Sequence, residues 1–196
     1  VTDAGTPAIS DPGEDLVRLC AENGVEVRAI PGCCAAVNAL AVSGLPTGRF
    51  TFEGFLTVNK KSRREHLNSL KDETRTMIFH EAPHKLRTTL NDLTEAFGPD
   101  RRISLCRELT KLHEEVLRFT LAEAVAYYEE NAPKGEYVLV VAGAAPKTGA
   151  VVTLEDGVAQ VLALKEQGMR LKDAAKEVAE HTGLSKNELY AAALER

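Results

Sequence analysis

The 196-residue sequence has no tryptophan, two methionines and only 5% aromatic residues. It lacks any run of about 18 apolar residues, so no helix that crosses a bilayer is expected. Neither a GxGxxG fingerprint nor a P-loop is present, and phosphate cradling is not the natural inference. The opening Val1-Thr2-Asp3-Ala4-Gly5 has neither the basic nor the apolar stretch of a secretory leader, and no signal peptide is read there. An excess of positive charge is missing too: 24 basic residues face 29 acidic ones, net −5. That excludes coating of nucleic acid through global charge and leaves only a local patch. The four cysteines, Cys20, Cys33, Cys34 and Cys106, fit neither a CxxC redox pair nor a zinc knuckle. Reduced thiols in a cytosolic protein are the simplest reading, and no set of ligands with metal spacing is visible.

What is present suffices for real cores. Hydrophobic residues make up 44% and charged residues 27%, ordinary globular usage for one large domain or two small ones. Residues 14–23 read as a helix with Leu16, Val17, Leu19 and Cys20 inward, stopped by Gly24. Residues 25–30 read as a strand, Pro31-Gly32 as a turn, and residues 33–43 as a second helix. This strand–loop–helix alternation is the grammar of a parallel α/β sheet, with Val1 as the end of a buried strand.

Gly44-Leu45-Pro46-Thr47-Gly48 reads as a hinge. A mixed α/β unit is expected beyond it. Its strands fall at residues 50–56, 76–80, 103–107, 116–120 and 137–142, and its helices at 84–97 and 121–131. A further helix follows the basic run Lys60-Lys61-Ser62-Arg63-Arg64. Leu86, Leu90, Leu93 and Phe97 form one stripe, and Thr120 can cap the helix after it. Ala145-Pro146-Lys147-Thr148-Gly149 is a linker by composition. The helical tail has helix-turn-helix spacing around Thr182-Gly183-Leu184, with Ser185 and Glu188 as a capping box and Leu184 stapled onto Leu189. Lys186 against Glu188 leaves its last helix almost neutral, which favours a structural hairpin over a DNA reader.

The stretch Asp3-Ala4-Gly5-Thr6-Pro7-Ala8-Ile9-Ser10-Asp11-Pro12-Gly13 carries most information. Two glycines and two prolines stiffen a loop at a strand's carboxyl end, where open α/β sheets bind ligands. This run resembles the signature of the ribosomal RNA small subunit methyltransferase I family, within the tetrapyrrole methylase superfamily. The resemblance recurs at Ile30-Pro31-Gly32, Gly44-Leu45-Pro46-Thr47, Phe52-Glu53-Gly54-Phe55-Leu56 and Glu81-Ala82-Pro83-His84. It continues through Cys106-Arg107-Glu108-Leu109-Thr110-Lys111-Leu112-His113-Glu114-Glu115 and Gly135-Glu136-Tyr137-Val138-Leu139-Val140-Val141.

The resemblance implies an α/β, two-domain, class III S-adenosylmethionine methyltransferase fold with its first domain truncated and a small helical C-terminal tail. Residues 1–46 would be the remnant of the cofactor-binding domain, 47–145 the second domain, and 150–196 the tail. Two departures stand out. A Gly-Thr-Pro-Ile-Gly-Asn loop on the family's first strand is absent, and Cys34 stands where the family reads serine.

The implied activity is 2′-O-methylation of a cytidine ribose in 16S rRNA, within the small ribosomal subunit, by a cytoplasmic homodimer needing no metal. S-adenosylmethionine would be held by Asp3, Gly5, Thr6, Pro7, Ile9, Cys34, Ala35 and His80. Candidate bases are Glu108, Glu81 and His113, in that order, and Lys60, Lys61, Arg63, Arg64, Arg107 and Lys111 are the candidate RNA contacts. A solvated helix start and a solvated charged loop read the same way from residue types alone. The alternatives are a methyltransferase of the same superfamily acting on a porphyrinoid or diphthine, or a non-catalytic RNA-binding fragment.

Overall fold

The computed structural model describes residues 5–145 and 153–195; the expected strand end at Val1, the Asp3 site and most of the expected linker lie outside them. The chain divides into two compact units, Val1–Ala144 and Ala145–Arg196.

In the first unit the segments rich in β-branched and aromatic residues pair into a five-stranded sheet. In chain order the strands are β1 (Phe50–Phe55), β2 (Thr76–Glu81), β3 (Arg102–Arg107), β4 (Glu115–Thr120) and β5 (Tyr137–Val141). Their spatial order is β1-β2-β5-β3-β4. Only β1 and β2 run parallel; β5 enters antiparallel between β2 and β3, and β4 closes the far edge. Every residue of β5 is buried, as befits a central strand covered on both faces.

Alternation along the strands sorts the core into two layers. On one face Met77, Phe79, Ile103, Leu105, Leu139 and Val141 share a cluster with Leu67 of α3 (Lys60–Ser69), Leu90 of α4 (Leu86–Phe97) and Leu121 of α5 (Leu121–Glu130). The stripe Leu86, Leu90, Leu93 and Phe97 on α4 is buried as its spacing implies. Thr120 and Glu123 form the capping box that starts α5. On the other face Ile78, Cys106, Val138 and Val140 pack against Ala36, Ala39 and Leu40 of α2 (Ala35–Ser43). Arg118 on β4 donates from Nε to the Ser43 carbonyl at 3.0 Å and from Nη2 to the Val42 carbonyl, closing the C-terminus of α2.

Two readings of residues 14–30 need correction. Helix α1 (Glu14–Glu22) forms, but Leu16, Val17 and Leu19 are exposed rather than inward. Residues 25–30 are not a strand, and Val25, Val27 and Ile30 lie open. A strand needs a hydrogen-bonded neighbour and an apolar helix face needs a layer to cover it. No described strand pairs with residues 25–30, so propensity alone does not make one.

The second unit holds α6 (Leu154–Glu166), α7 (Leu171–Thr182) and α8 (Lys186–Leu194) around Val158, Val161, Ala174, Ala175, Val178, Leu189 and Ala193. Gly157 permits this packing, since a Cβ there would fall 2.7 Å from both Leu184 Cδ1 and Leu189 Cδ2. Leu184 and Leu189 thus meet in one cluster as the staple requires. Ser185 is the N-cap of α8, but its side chain makes no capping hydrogen bond, so the expected capping box is absent. No described helix is long and apolar enough to cross a membrane.

Gly143 sits where β5 leaves the sheet, and a Cβ there would lie 2.0 Å from the Thr74 carbonyl oxygen. The neighbouring Ala144 N–H donates to the Glu73 carbonyl at 2.6 Å, so the backbone cannot retreat without losing that bond. Gly143→Ala should destabilise the unit by about 2–3 kcal/mol in thermal or urea unfolding. Gly48→Ala, with open space around it, should leave the midpoint unchanged.

Candidate functional site

The loop of residues 5–13 is strapped to the segment that starts α2. Thr6 donates to the Cys33 carbonyl from its backbone N–H at 2.9 Å and from its hydroxyl at 3.1 Å. Gly5, at φ 79°, lies so close that a Cβ would meet the same carbonyl at 3.0 Å. Ala8 and Ser10 hold positive φ of 66° and 56°, unusual for residues with side chains. Cys34 is the N-cap of α2 without a side-chain capping bond, so its first N–H groups have no side-chain acceptor. Gly5, Thr6, Cys34 and Ala35 are thereby brought together; Pro7 and Ile9 are exposed on the same loop, Ile9 at 46%.

Among the described sheet residues, His80 feels the Asp11 charge of this loop and Gly54 lies near Ser10, whose Oγ is 3.7 Å from where a Gly54 Cβ would stand. His80 occupies the same face of β2 as Ile78, the face covered by α2. Its imidazole is flanked by the Phe52 and Phe55 rings, with centroids 5.2 and 5.4 Å away. Its Nε2 is buried and has no hydrogen-bond partner. Burial holds the imidazole below its ordinary value of 6.5, opposed by the nearby Glu136 and Asp11 charges. It is therefore neutral at physiological pH.

Glu81, one residue on, points to the opposite face. It is 3% exposed, and its carboxylate accepts from the Ala82 N–H at 2.9 Å and from the Thr89 hydroxyl on α4. Thr89 Oγ1 in turn accepts from Arg63 Nη2 at 2.8 Å, and Arg63 Nε donates to Asp92 at 2.5 Å. Two expectations are corrected here. Arg63 is a buried strut between α3 and α4, not a surface contact for RNA, and Glu81 is committed to the same network beneath α4. Lys60, Lys61 and Arg64 do stand exposed at the start of α3. The longer pairs Lys61–Glu65 at 3.9 Å and Arg64–Glu95 at 3.5 Å hold them only loosely.

The strand register gathers the remaining candidates at one sheet edge. Glu81 pairs with Tyr137, Tyr137 with Arg107, and Arg107 with Glu115. Glu108 and Thr110, both at positive φ, turn the chain out of β3. Glu108 Oε1 accepts from the Glu136 N–H at 2.9 Å and from Lys111 Nζ at 3.1 Å. Those bonds hold its carboxyl below the usual carboxylate value, the Glu136 backbone bond contributing most. Gly135 is required beside it, since a Cβ there would sit 2.5 Å from Glu108 Cγ. His113 is exposed on the same loop. Arg107 lies 3.2 Å from Glu115 and lines a hollow of about 270 Å³ with Tyr127, Tyr128, Lys134 and Tyr137, on the α5 side of the sheet. That places it on the face away from His80. Among the described residues no group of three His, Cys, Asp or Glu could hold a metal ion.

Sequence reasoning missed Phe52 and Phe55 as site neighbours, although the motif Phe52-Glu53-Gly54-Phe55 had drawn notice. It also missed Thr89, whose role depends on partners far away in sequence.

Residues 1–125 match the family of Tetrapyrrole (Corrin/Porphyrin) Methylases, and residues 152–196 match the RsmI C-terminal HTH domain. The Ribosomal RNA small subunit methyltransferase I of Synechocystis sp. is 46% identical, over all of this chain and 70% of its own length. That of Mycobacterium tuberculosis is 45% identical, over all of this chain and 67% of its own. The chain belongs to the ribosomal RNA small subunit methyltransferase I family. The Escherichia coli O157:H7 relative is 43% identical, with all of this chain and 68% of its own length covered. Among solved structures, the methyltransferase CobJ superposes with a TM-score of 0.54 at 23% identity, over 72% of this chain and 62% of its own. The cobalt precorrin-4 methyltransferase CbiF gives 0.51 at 16% identity, over 69% and 60%. These two likenesses establish the tetrapyrrole-methylase fold for this family member.

His80 yields a pH prediction. Its folded-state value lies below the unfolded one, so the unfolded chain takes up the proton first and stability falls as pH drops through 6.5. NMR titration should place the His80 midpoint below 6.5, and His80→Gln should flatten that part of the stability–pH curve. Arg63→Met should cost about 1–3 kcal/mol in unfolding by removing the donor to buried Thr89 and the partner of half-buried Asp92, whereas Lys60→Ala should cost none.

Proposed function

We propose that the chain catalyses S-adenosylmethionine-dependent methylation of small-subunit rRNA, with a cytidine ribose 2′-hydroxyl as acceptor. The observation that carries this reading is 43–46% identity, along the entire chain, to relatives named for that substrate class. A cytosolic setting, a homodimer and the small ribosomal subunit as substrate context belong to the same proposal. So does the division into residues 1–46, 47–145 and 150–196.

The residues between loop 5–13 and His80 suit the cofactor. The uncapped start of α2 offers N–H donors, and the close approach of Gly5 to Cys33 shapes the wall. His80 brings a buried Nε2 with no partner in the protein. Bound there, S-adenosylmethionine would supply a methyl group on a sulfonium that departs as a neutral thioether. Gly5, Thr6, Pro7, Ile9, Cys34, Ala35 and His80 would hold and orient it, Asp3 belonging to the same set. The protein's task is then mainly alignment of the acceptor oxygen with the methyl carbon.

A ribose hydroxyl is a weak acid, and a group that accepts its proton contributes about 10²–10⁴ in rate. Glu108 is the group we assign. It is ionised through neutral pH, both its bonds fall on Oε1, and it stands at the sheet edge. Lys111 holds it from 3.1 Å. His113 is the second candidate on the same loop; the commitment of Glu81 to Thr89 and Ala82 removes it from this role. Lys60, Lys61 and Arg64 supply phosphate contacts, which position RNA without reading its sequence.

The test is methyl transfer to small subunits isolated from cells that lack this modification, read by nucleoside mass spectrometry. The expected product is 2′-O-methylcytidine, and Glu108→Gln should lower kcat by about 100-fold or more. A base-methylated product, or transfer to a porphyrinoid in place of rRNA, would refute the assignment.

A further inference from the structure

We infer that Phe52 and Phe55 form an aromatic ledge on which one unstacked nucleobase of the RNA substrate lies. The inference rests on the rRNA reading above and deepens it.

The argument starts from a backbone irregularity. Strand β1 pairs in parallel with β2, with Phe52 opposite Ile78 and Phe55 opposite His80. Two residues separate Phe52 from Phe55 on one strand, but only one separates Ile78 from His80 on the other. The extra residue is a bulge between Phe52 and Gly54, and Gly54 holds φ 63°. In a regular strand residues three apart face opposite sides. The bulge cancels that alternation and turns Phe55 onto the same face as Phe52 and His80. Glu53, between them, goes to the other face and meets His66 of α3 at 2.9 Å.

The second ring brought to this face is not buried there. Phe52 is 38% exposed and Phe55 58% exposed, on a strand whose next residue, Leu56, is core. Both rings stand nearly perpendicular to the His80 imidazole, at 76° and 79°, so the imidazole backs them from one side only. A bulge and a left-handed glycine are therefore used to display aromatic surface beside the proposed cofactor wall, with Ser10 Oγ 3.7 Å from where a Gly54 Cβ would stand.

The rRNA reading points to the occupant, and exposed cations follow the ledge in sequence. Exposed Lys60 and Lys61 begin the helix five residues after Phe55, and Arg64 follows one turn on. Exposed aromatic rings stack unpaired bases and exposed cations pair with phosphates, the two elements of surfaces that bind single-stranded nucleic acid. An enzyme acting on a ribose inside folded RNA also gains by holding its target nucleotide out of the stack.

Because the sequence contains no tryptophan, Phe55→Trp introduces a single reporter at the ledge. The probe is a short single-stranded RNA containing one cytidine, and the same RNA with that base removed. Fluorescence anisotropy should show wild type and Phe55→Trp binding the intact RNA alike, and Phe55→Ala or Phe52→Ala binding roughly tenfold more weakly. Circular dichroism checks that each variant is folded. Tryptophan emission should be quenched by the intact RNA and much less by the abasic one.

Equal affinity for Phe55→Ala, or equal quenching by both RNAs, overturns the ledge while leaving the rRNA reading standing. Quenching by S-adenosylhomocysteine alone, with none by RNA, assigns the rings to the cofactor and likewise overturns it. Absence of RNA binding by the wild-type chain overturns both.

Discussion

Strand β5 is the constraint on which the first unit depends. It lies antiparallel between β2 and β3, buried at every residue, and its register fixes which residues of those strands reach the same edge. Tyr137 opposite both Glu81 and Arg107 brings the ends of three strands to one line. The turn that leaves this line after β3 carries Glu108 and Lys111, and His80 is the β2 residue just before the line. A one-residue slip of β5 would exchange Val138 and Val140 with Leu139 and Val141 between the two faces, so both cores resist it. The site inherits its geometry from core packing rather than from its own polar contacts.

The two faces of that sheet then do different work. The face toward α3, α4 and α5 is closed by apolar packing and by the Arg63–Thr89–Glu81 network, with Asp92 beside it. Losing Thr89 takes a partner from both the buried Glu81 carboxylate and Arg63, so this network is structural in effect. The face toward α2 and loop 5–13 is less complete. It carries a neutral histidine with a buried nitrogen that bonds to no protein group, two exposed phenyl rings and a helix start without a side-chain cap. Adjacent residues 80 and 81 fall on opposite sides of this divide, which is why the same strand end serves both purposes.

Much of this was legible from the sequence wherever the signal was local. The stripe on α4, the Thr120 cap, the alternation of β1 and the placing of the other strands depend on neighbours within a few residues. The pairing of Arg63 with Thr89 and Asp92 spans more than twenty residues, and nothing in the basic run shows that one of its four cations turns inward. The opposite faces of His80 and Glu81 follow from the two-residue period of a strand, so that division was available and went unread. Residues 25–30 have strand composition without a paired strand among the described residues, a case where propensity exceeds context. At Ser185 the residue types of a capping box are present, but the side-chain bond is not made. The family resemblance was legible because its blocks keep their order along the chain, and the matches over residues 1–125 and 152–196 agree with it.

The central claim is that loop 5–13, the start of α2 and His80 form one wall of a methyl-donor site. Amide and imidazole chemical-shift mapping during titration with S-adenosylhomocysteine tests it most directly. The account predicts saturable shifts centred on Gly5, Thr6, Ile9, Cys34, Ala35 and the His80 ring. Saturable binding whose shifts fall elsewhere, leaving that loop and that ring unmoved, would contradict it.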